Sequence, residues 1–273
     1  MIGRARRVPV APLVVGVLFA GYAVPLAWIV LTSLKSSAEV FGDGLGLVFT
    51  PTLAAYEDAL SGDLLDALVQ SLIIASGATA LTILIAAPTA YGLARVNGVL
   101  SSAGLGLLIV LQMTPQTASV IPLFQVLGSW GLLDSTAGVV LADSALMTPF
   151  AILLLRPFFR RVPAALEEAA AIDGASPLRT FVSIVLPVAR NGVVTTATLV
   201  FLITWGEFVY AVNFLLSPGA YPLSAAMAQQ VSAYGVDWPG LMALSVITSI
   251  PVLVLFALSY RLLKEGLTVG AVK

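Results

Sequence analysis

The 273-residue sequence contains no cysteine and no histidine, and only 10% of its residues are charged. Without thiols or imidazoles the chain has no disulfides, no thiol nucleophile and none of the commonest metal ligands, so we predict no catalytic or metal-binding residue. A G-x-x-x-x-G-K-[ST] segment, whose loop cradles nucleotide phosphates in ATPases, is also missing. The net charge of −1 says little by itself. Nucleic acid is not a predicted partner.

What the sequence has in abundance is apolar residues, which make up 59% of the chain. The mean hydropathy is +1.02, and uncharged runs such as residues 8–34 exceed the roughly 20 residues that a helix needs to cross a bilayer. We predict an all-α integral membrane protein in which residues 1–273 form one transmembrane domain. Its six spans lie at about 10–33, 68–94, 103–128, 135–156, 193–215 and 239–261.

The basic residues are distributed unevenly along this topology. With both termini on the same side, twelve of the thirteen lysines and arginines lie on that side, and Lys35 alone lies on the other. Because cytoplasmic loops carry the excess of lysine and arginine, we expect both termini in the cytoplasm. The first run follows Arg4, Arg6 and Arg7, as in a signal peptide, but it is longer than a usual h-region, so we interpret it as an uncleaved span.

Between the fourth and fifth spans, residues 159–190 form a polar segment that lies beside the membrane. Ala164–Ile172 are strong helix formers, and Gly174 is placed for a left-handed helix end. Ser176 then offers an N-cap, Pro177 occupies the first position of a second short helix, and Pro187 is expected to end it. The sequence therefore predicts a helix–turn–helix.

The spacing in this segment is more specific than its shape. Glu168-Ala169-Ala170, three residues, Gly174, nine residues and then Ile184-Val185-Leu186-Pro187 resembles the E-A-A-x3-G-x9-I-x-L-P signature of bacterial ABC importer permeases. The resemblance implies the type I ABC importer permease fold, with this segment as the cytoplasmic coupling loop that docks on an ATPase subunit. The alternative is a helical linker on the membrane surface. The predicted coupling residues are Glu168, Ala169, Ala170, Gly174, Leu178, Phe181, Ile184, Leu186 and Pro187.

Three further stretches resemble importer permeases, and one of them, the tail, together with the coupling segment narrows the resemblance to carbohydrate importers of the maltose-type G-subunit family. The tail G-L-T-V-G-A-V-K, residues 266–273, is similar to the terminus of those permeases. Trp205-Gly206-Glu207 resembles their W-N-E, with Gly206 in place of asparagine. Residues 90–95, A-Y-G-L-A-R, also look like the family, although for the individual residues we favour helix packing and an interfacial anchor.

The resemblance implies a subunit that moves a sugar or oligosaccharide inward across the bacterial cytoplasmic membrane. The subunit is not expected to be an enzyme itself. The implied partners are a cytoplasmic ABC ATPase dimer, which binds ATP and Mg, a second related permease subunit and an extracytoplasmic sugar-binding protein. This subunit itself needs no cofactor. One alternative is an ABC permease for another solute, such as glycerol phosphate. Another is a secondary transporter or a membrane scaffold, which leaves the coupling signature unexplained.

Five polar residues within the spans are candidates for the substrate pathway. We expect the third span to be interrupted at residues 113–116 and at Pro122, which would place polar groups in a protein-lined or water-lined cavity. Asp143 lies ~12 Å into its helix, where a carboxylate either hydrogen-bonds sugar hydroxyls or pairs with a neighbouring subunit. Glu207 either lines the pathway or makes an interhelical hydrogen bond. The candidates are Gln112, Thr114, Gln116, Asp143 and Glu207.

The outward loops carry the remaining expectations. Residues 36–66 are acidic and irregular, with a short surface helix at residues 53–60. Residues 217–239 form the last outside loop, whose counterpart in the maltose-type family reaches into the binding protein.

Overall fold

The structure is a computed structural model that describes residues 10–42, 46–61, 64–232 and 235–271. Arg4, Arg6 and Arg7, which mark the predicted cytoplasmic N-terminus, and the last two residues of the predicted tail lie outside these ranges. The described chain is mostly helical and divides into two units. The first unit combines the described residues before Leu64 with Met227–Ser249, and the second contains Leu64–Ala226 and the described residues from Ile250 onward.

The first unit is built from one long helix and several short elements. They are α1 (Val10–Ser33), α2 (Ser37–Val40), α3 (Ala54–Ser61) and a small antiparallel hairpin of β1 (Val231–Ser232) and β2 (Gly235–Val236). The predicted short helix at residues 53–60 is therefore confirmed by α3. Glu39 caps α2 by accepting a hydrogen bond from the Ser36 backbone, and it also accepts one from the Thr50 backbone at 3.1 Å.

The core of the second unit is formed by three helices, α4 (Leu64–Arg95), α7 (Thr136–Arg160) and α11 (Arg190–Trp205). The face that α4 buries carries mainly small residues, and Ala86 and Ala90 are completely inaccessible to solvent. These small side chains allow the backbones of neighbouring helices to approach closely. The Ser144 hydroxyl donates to the Ala78 carbonyl at 3.3 Å, which ties α7 directly to the α4 backbone.

The predicted third span consists of α5 (Val99–Met113) and α6 (Gln116–Ser129), which meet at an angle of 94°. The expected interruption at residues 113–116 is confirmed, because Thr114 is extended and Pro115 cannot donate a backbone hydrogen bond. The second expected interruption, at Pro122, was wrong. Pro122 lies inside α6, where its fixed φ suits the helix and the missing N–H costs a single backbone hydrogen bond.

The predicted fifth span, 193–215, is broken in the structure. Helix α11 ends at Trp205, and α12 (Val209–Phe214) follows after three residues. The break is stabilised by Glu207, whose carboxylate accepts hydrogen bonds from the backbone N–H groups of Tyr210 at 2.8 Å and Ala211 at 3.2 Å. A carboxylate at a helix N-terminus satisfies donors that lack partners within the helix.

The predicted last outside loop is more regular than expected. It contains a 3-10 turn (Pro218–Ala220) and α13 (Leu223–Gln229) before the hairpin. The predicted sixth span forms the first part of α14 (Trp238–Ala271). The helix continues beyond residue 261 and includes most of the predicted tail.

A hydrogen-bonded turn joins the start of α7 to the end of α12. Asp134 has a φ of 55° and accepts hydrogen bonds from the backbone of Leu216 at 2.8 Å and of Ser217 at 2.9 Å. The Ser217 hydroxyl donates to the same carboxylate at 2.6 Å. The hydrogen bonds from Ser217, and that from the Leu216 backbone, lower the pKa of Asp134.

Within the described residues, four helices are long and apolar enough to cross a membrane unaided. They are Pro12–Ser33, Leu64–Arg95, Thr136–Arg160 and Trp238–Tyr260. The number rises to six if each of two bent helix pairs counts as one span, namely the α5–α6 pair and the pair formed by Pro177–Val188 and Arg190–Trp205.

Candidate functional site

The segment between α7 and α11 begins with α8 (Ala164–Ile172), which ends at a left-handed Gly174 with a φ of 75°. The Gly174 N–H donates to the Ala171 carbonyl at 3.1 Å, and the Ala175 N–H donates to the Ala170 carbonyl at 2.9 Å. These two bonds form a Schellman motif, in which glycine is favoured because a Cβ strains the backbone at positive φ. The expected helix end at Gly174 is confirmed.

The second helical part begins as expected at Ser176, whose hydroxyl accepts a hydrogen bond from the Arg179 N–H at 3.3 Å. Helix α9 (Pro177–Thr180) continues as a π-helical turn, Phe181–Val185, and then as α10 (Leu186–Val188). Pro187 was expected to end this helix, and the helix ends one residue later, at Val188. The direction changes later, at Ala189, with a bend of 80° before α11.

The outer face of this segment exposes apolar side chains. Leu178 is 72% exposed and Ile172, which the sequence reasoning missed, is 87% exposed. We call Ile172 and Leu178, which flank the Gly174 turn, the coupling surface. Of the other predicted coupling residues, four are also exposed, namely Glu168, Ala169, Gly174 and Pro187.

The remaining predicted coupling residues face the core of the second unit. Ala170 is buried, and Phe181, Ile184 and Leu186 are half-buried. The Phe181 ring stacks on Tyr91 with centroids 5.2 Å apart. Of the predicted coupling residues Leu178 and Phe181, Leu178 is therefore exposed, whereas Phe181 contacts this chain's own helices.

The inner face of α8 is held by a group of polar contacts around Arg95, the last residue of α4. The Arg95 guanidinium donates to the Glu167 carboxylate through Nε at 2.8 Å and through Nη2. It also donates to the carbonyl oxygens of Phe159 and Val162, both at 3.1 Å. The Tyr91 hydroxyl completes the group by donating to Glu167 at 2.7 Å. We call these five residues the Arg95 cluster.

The electrostatics of the cluster favour the ionised form of Glu167. Partial burial raises the pKa of this carboxyl, but the hydrogen bonds from Arg95 and Tyr91 and the nearby positive charge outweigh it and lower the pKa on balance. Glu167 therefore remains an anion at neutral pH and keeps both of its hydrogen-bond partners.

Sequence reasoning missed Arg95, Tyr91 and Glu167 as functional candidates. Residues 90–95 were interpreted as helix packing with an interfacial anchor. Of the neighbouring acids Glu167 and Glu168, only Glu168 was predicted to be a coupling residue. The signal was helical spacing: Glu167 lies three residues before Ala170 and so shares its inward face, whereas Glu168 faces solvent.

The structure brings together two of the five predicted pathway residues. Gln116, at the start of α6, donates its side-chain N–H to Glu207 at 2.7 Å. The Ser224 hydroxyl donates to the Glu207 backbone carbonyl at 2.6 Å, and Ser119 hydrogen-bonds the hydroxyl of Tyr210. Gln116 and Glu207 thus lie in a network that joins α6, α12 and α13.

The other three candidates make none of these hydrogen bonds. Gln112 and Thr114 are exposed, and the Thr114 hydroxyl donates to the Val110 carbonyl of the preceding helix α5 at 3.4 Å. Asp143 is 1% exposed on α7, and neither of its carboxylate oxygens has a hydrogen-bond partner among the described residues. A buried carboxyl without partners is costly and is usually retained for a reason other than stability.

Comparison with known proteins identifies the family to which the chain belongs. Residues 78–269 match the family described as binding-protein-dependent transport system inner membrane component. The chain belongs to this family. It is 34% identical over 251 residues to the sulfoquinovosyl glycerol transport system permease protein SmoH of Agrobacterium fabrum, covering 91% of this chain and 88% of the relative. The trehalose transport system permease protein SugB of Mycobacterium tuberculosis is 33% identical over 264 residues, covering 95% and 96%.

A solved structure supports the fold independently. The chain superposes with a TM-score of 0.80 on a chain of a bacterial ABC transporter involved in the import of the acidic polysaccharide alginate. The match covers 96% of this chain and 99% of the other at 20% identity, so it bears on the fold alone. The predictions of an all-α ABC importer permease fold and of an importer permease subunit are confirmed, and this permease is a multi-pass membrane protein.

Proposed function

We propose that this permease moves a sugar or oligosaccharide into the bacterial cytoplasm, driven by ATP hydrolysis in a partner ATPase dimer. A second related permease completes the pathway, and an extracytoplasmic sugar-binding protein delivers the substrate. ATP and Mg are bound by the ATPase, and this subunit requires no cofactor of its own. The choice of sugar is supported by the relatives, one named for trehalose and one for sulfoquinovosyl glycerol.

The observation that carries the proposal is the coupling surface. Ile172 and Leu178 are apolar, highly exposed and located in the segment that connects α7 to α11. Covering a leucine or isoleucine side chain fully contributes about 1.5–3 kcal/mol, so a partner groove that accepts both gains substantial affinity. A short capped helix that presents one apolar side is the shape that a hydrophobic groove recognises.

The charge distribution supports a cytoplasmic position for this surface. Arg160, Arg161, Arg179 and Arg190 all lie in or beside the coupling segment. The positive-inside tendency therefore favours the cytoplasmic side for residues 159–190 and for both termini.

The mechanism that follows is alternating access. Closure of the ATPase dimer on ATP moves the docked coupling segments, and the attached helices turn the pathway from inward-facing to outward-facing. ATP biases this equilibrium because it binds the two ATPase arrangements with different affinity. Glycerol phosphate remains the alternative substrate class, because the tail resembles that of glycerol-phosphate permeases as well.

The experiment is a reconstitution. The permease is co-expressed with the products of the genes beside its own, purified and inserted into proteoliposomes, and ATP hydrolysis is followed with candidate sugars and with glycerol 3-phosphate. Leu178→Asp should lose the co-purifying ATPase, whereas Leu60→Asp, at a 52% exposed leucine on α3, should retain it. Stimulation by glycerol 3-phosphate alone would contradict the sugar assignment, and a wild type that brings down no ATPase would contradict the coupling assignment.

A further inference from the structure

We propose that Arg95 is a positioning residue that passes the movement of the coupling segment to helix α4. This inference rests on the proposed function, because it concerns how the coupling surface is connected to the spans. The structure shows one guanidinium in contact with three elements: it ends α4, it binds Glu167 of α8, and it binds the Phe159 carbonyl of α7.

Helix α8 needs such a connection because little else attaches it. Only three residues separate its first residue from the end of α7, and Ala170 is its one fully buried residue. An alanine contributes little apolar burial, so the helix would be free to rock about residues 161–163 when a partner pushes on it. The Arg95 cluster opposes that motion with charge-assisted hydrogen bonds from Arg95 and Tyr91 to Glu167.

The contacts depend on the shape of the guanidinium and not only on its charge. Nε and Nη2 bind Glu167, Nη1 binds the Phe159 carbonyl, and Nη2 also binds the Val162 carbonyl. The Phe159 carbonyl lies in the last turn of α7, and the Val162 carbonyl lies two residues beyond the end of that helix. A lysine ammonium has three donors on a single nitrogen, so it cannot reproduce four hydrogen bonds that three separate nitrogens make.

The aromatic contacts extend the same connection to the second half of the segment. The Tyr91 ring stacks on Phe181, and its centroid lies 6.0 Å from that of Phe159. Since Tyr91 also binds Glu167, one face of α4 contacts the segment both before and after the Gly174 turn. Motion of the coupling surface is therefore directed to the end of α4, which is the longest helix of the second-unit core.

The test compares Arg95→Lys with a matched control, Arg156→Lys. Arg156 also uses its guanidinium between helices, donating to the Leu93 carbonyl at 3.1 Å and to the Ser101 hydroxyl at 3.3 Å, and neither acceptor is in the coupling segment. In proteoliposomes the amount of co-purified ATPase, the ATP turnover and the sugar uptake are measured together. We expect Arg95→Lys to keep the ATPase and its turnover but to lower sugar uptake per ATP by about tenfold, and Arg156→Lys to match the wild type.

A covalent replacement separates positioning from simple stability. Because the chain has no cysteine, Arg95→Cys combined with Glu167→Cys can be joined by a reducible bifunctional thiol reagent. Restored uptake per ATP in the joined form, and its loss on reduction, would support positioning. Tyr91→Phe removes one hydrogen bond and keeps the stacked ring, so its uptake per ATP should lie between those of the wild type and Arg95→Lys. This variant provides the test if the double cysteine variant does not fold.

Wild-type uptake per ATP in both Arg95→Lys and Tyr91→Phe would overturn the inference, as would an equal loss in Arg156→Lys. These outcomes differ from failure of the proposed function, in which the wild type itself neither binds an ATPase nor takes up sugar.

Discussion

Gln116 and Glu207 are hydrogen-bonded to each other at 2.7 Å, and each lies at the interruption of a helical pair. Gln116 begins α6 after the bend at Pro115, and Glu207 caps α12 after the break that follows Trp205. Both residues were predicted from the sequence to line the pathway. In the structure they belong to one hydrogen-bond network that connects the break between α5 and α6 with the break between α11 and α12.

Removing the Glu207 carboxylate should therefore destabilise the protein. Glu207→Ala loses the cap of α12 and leaves Gln116 without its acceptor, and we expect a loss of about 1–3 kcal/mol in the free energy of unfolding. Glu207→Gln keeps an acceptor oxygen and should lie between Ala and wild type. Thermal unfolding in detergent measures the stability of both variants and of the wild type. Unchanged stability combined with lost sugar uptake would instead indicate that Glu207 lines the pathway.

The backbone at Gly174 gives a second prediction. A Cβ at this position meets no atom within 4 Å, so a substitution acts through its φ of 75° alone. Gly174→Val should strain the turn by about 1–2 kcal/mol and reduce ATPase co-purification, whereas Gly174→Asn, which tolerates the left-handed region, should retain it. Equal co-purification of both variants would show that the turn geometry does not matter for docking.

Asp143 provides a third prediction that separates its two interpretations. Because both carboxylate oxygens lack partners within the described chain, Asp143→Asn removes a costly buried acid and should leave the yield of folded permease unchanged or higher. If the residue contacts sugar, uptake falls while the second permease still co-purifies. If it pairs with the second permease, that subunit is lost. A variant with normal uptake and normal assembly would contradict both.

The turn at Asp134 gives a prediction about pH. Its hydrogen bonds with Ser217 and with the Leu216 backbone lower the pKa of Asp134 in the folded protein. The stabilisation is therefore fully present above the ordinary aspartate pKa of about 3.9 and is lost as pH falls through the lowered value. The melting temperature of Asp134→Asn should lie below that of the wild type at pH 7, and the gap should narrow in acid. A gap that is independent of pH would contradict this account.

The local features of the coupling segment could be predicted because they depend on neighbouring residues. Gly174, Ser176 and Pro177 each act within one helical turn, and the structure shows the left-handed cap, the N-cap and the first-turn proline as expected. The spacing of Glu168-Ala169-Ala170 and Gly174 likewise needs no tertiary structure to be recognised.

The features that were missed depend on contacts between distant residues. Arg95 and Glu167 are 72 positions apart, and nothing in the local pattern of residues 90–95 indicates that the guanidinium reaches α8. In the same way, Pro115 and Pro122 look equivalent in the sequence, but only the first follows an extended residue and breaks the helix. The break after Trp205 depends on how the Glu207 carboxylate folds back onto α12.

The most direct test of the coupling proposal uses the absence of cysteine in the chain. A single cysteine is introduced as Leu178→Cys or, as the control, as Leu60→Cys, and each is labelled with a photoactivatable thiol reagent in the assembled transporter. Illumination should join position 178 to the ATPase subunit and leave position 60 unconnected to it. Crosslinking of the ATPase to position 60, or of position 178 to the extracytoplasmic binding protein, would contradict the proposed role and orientation of the coupling segment.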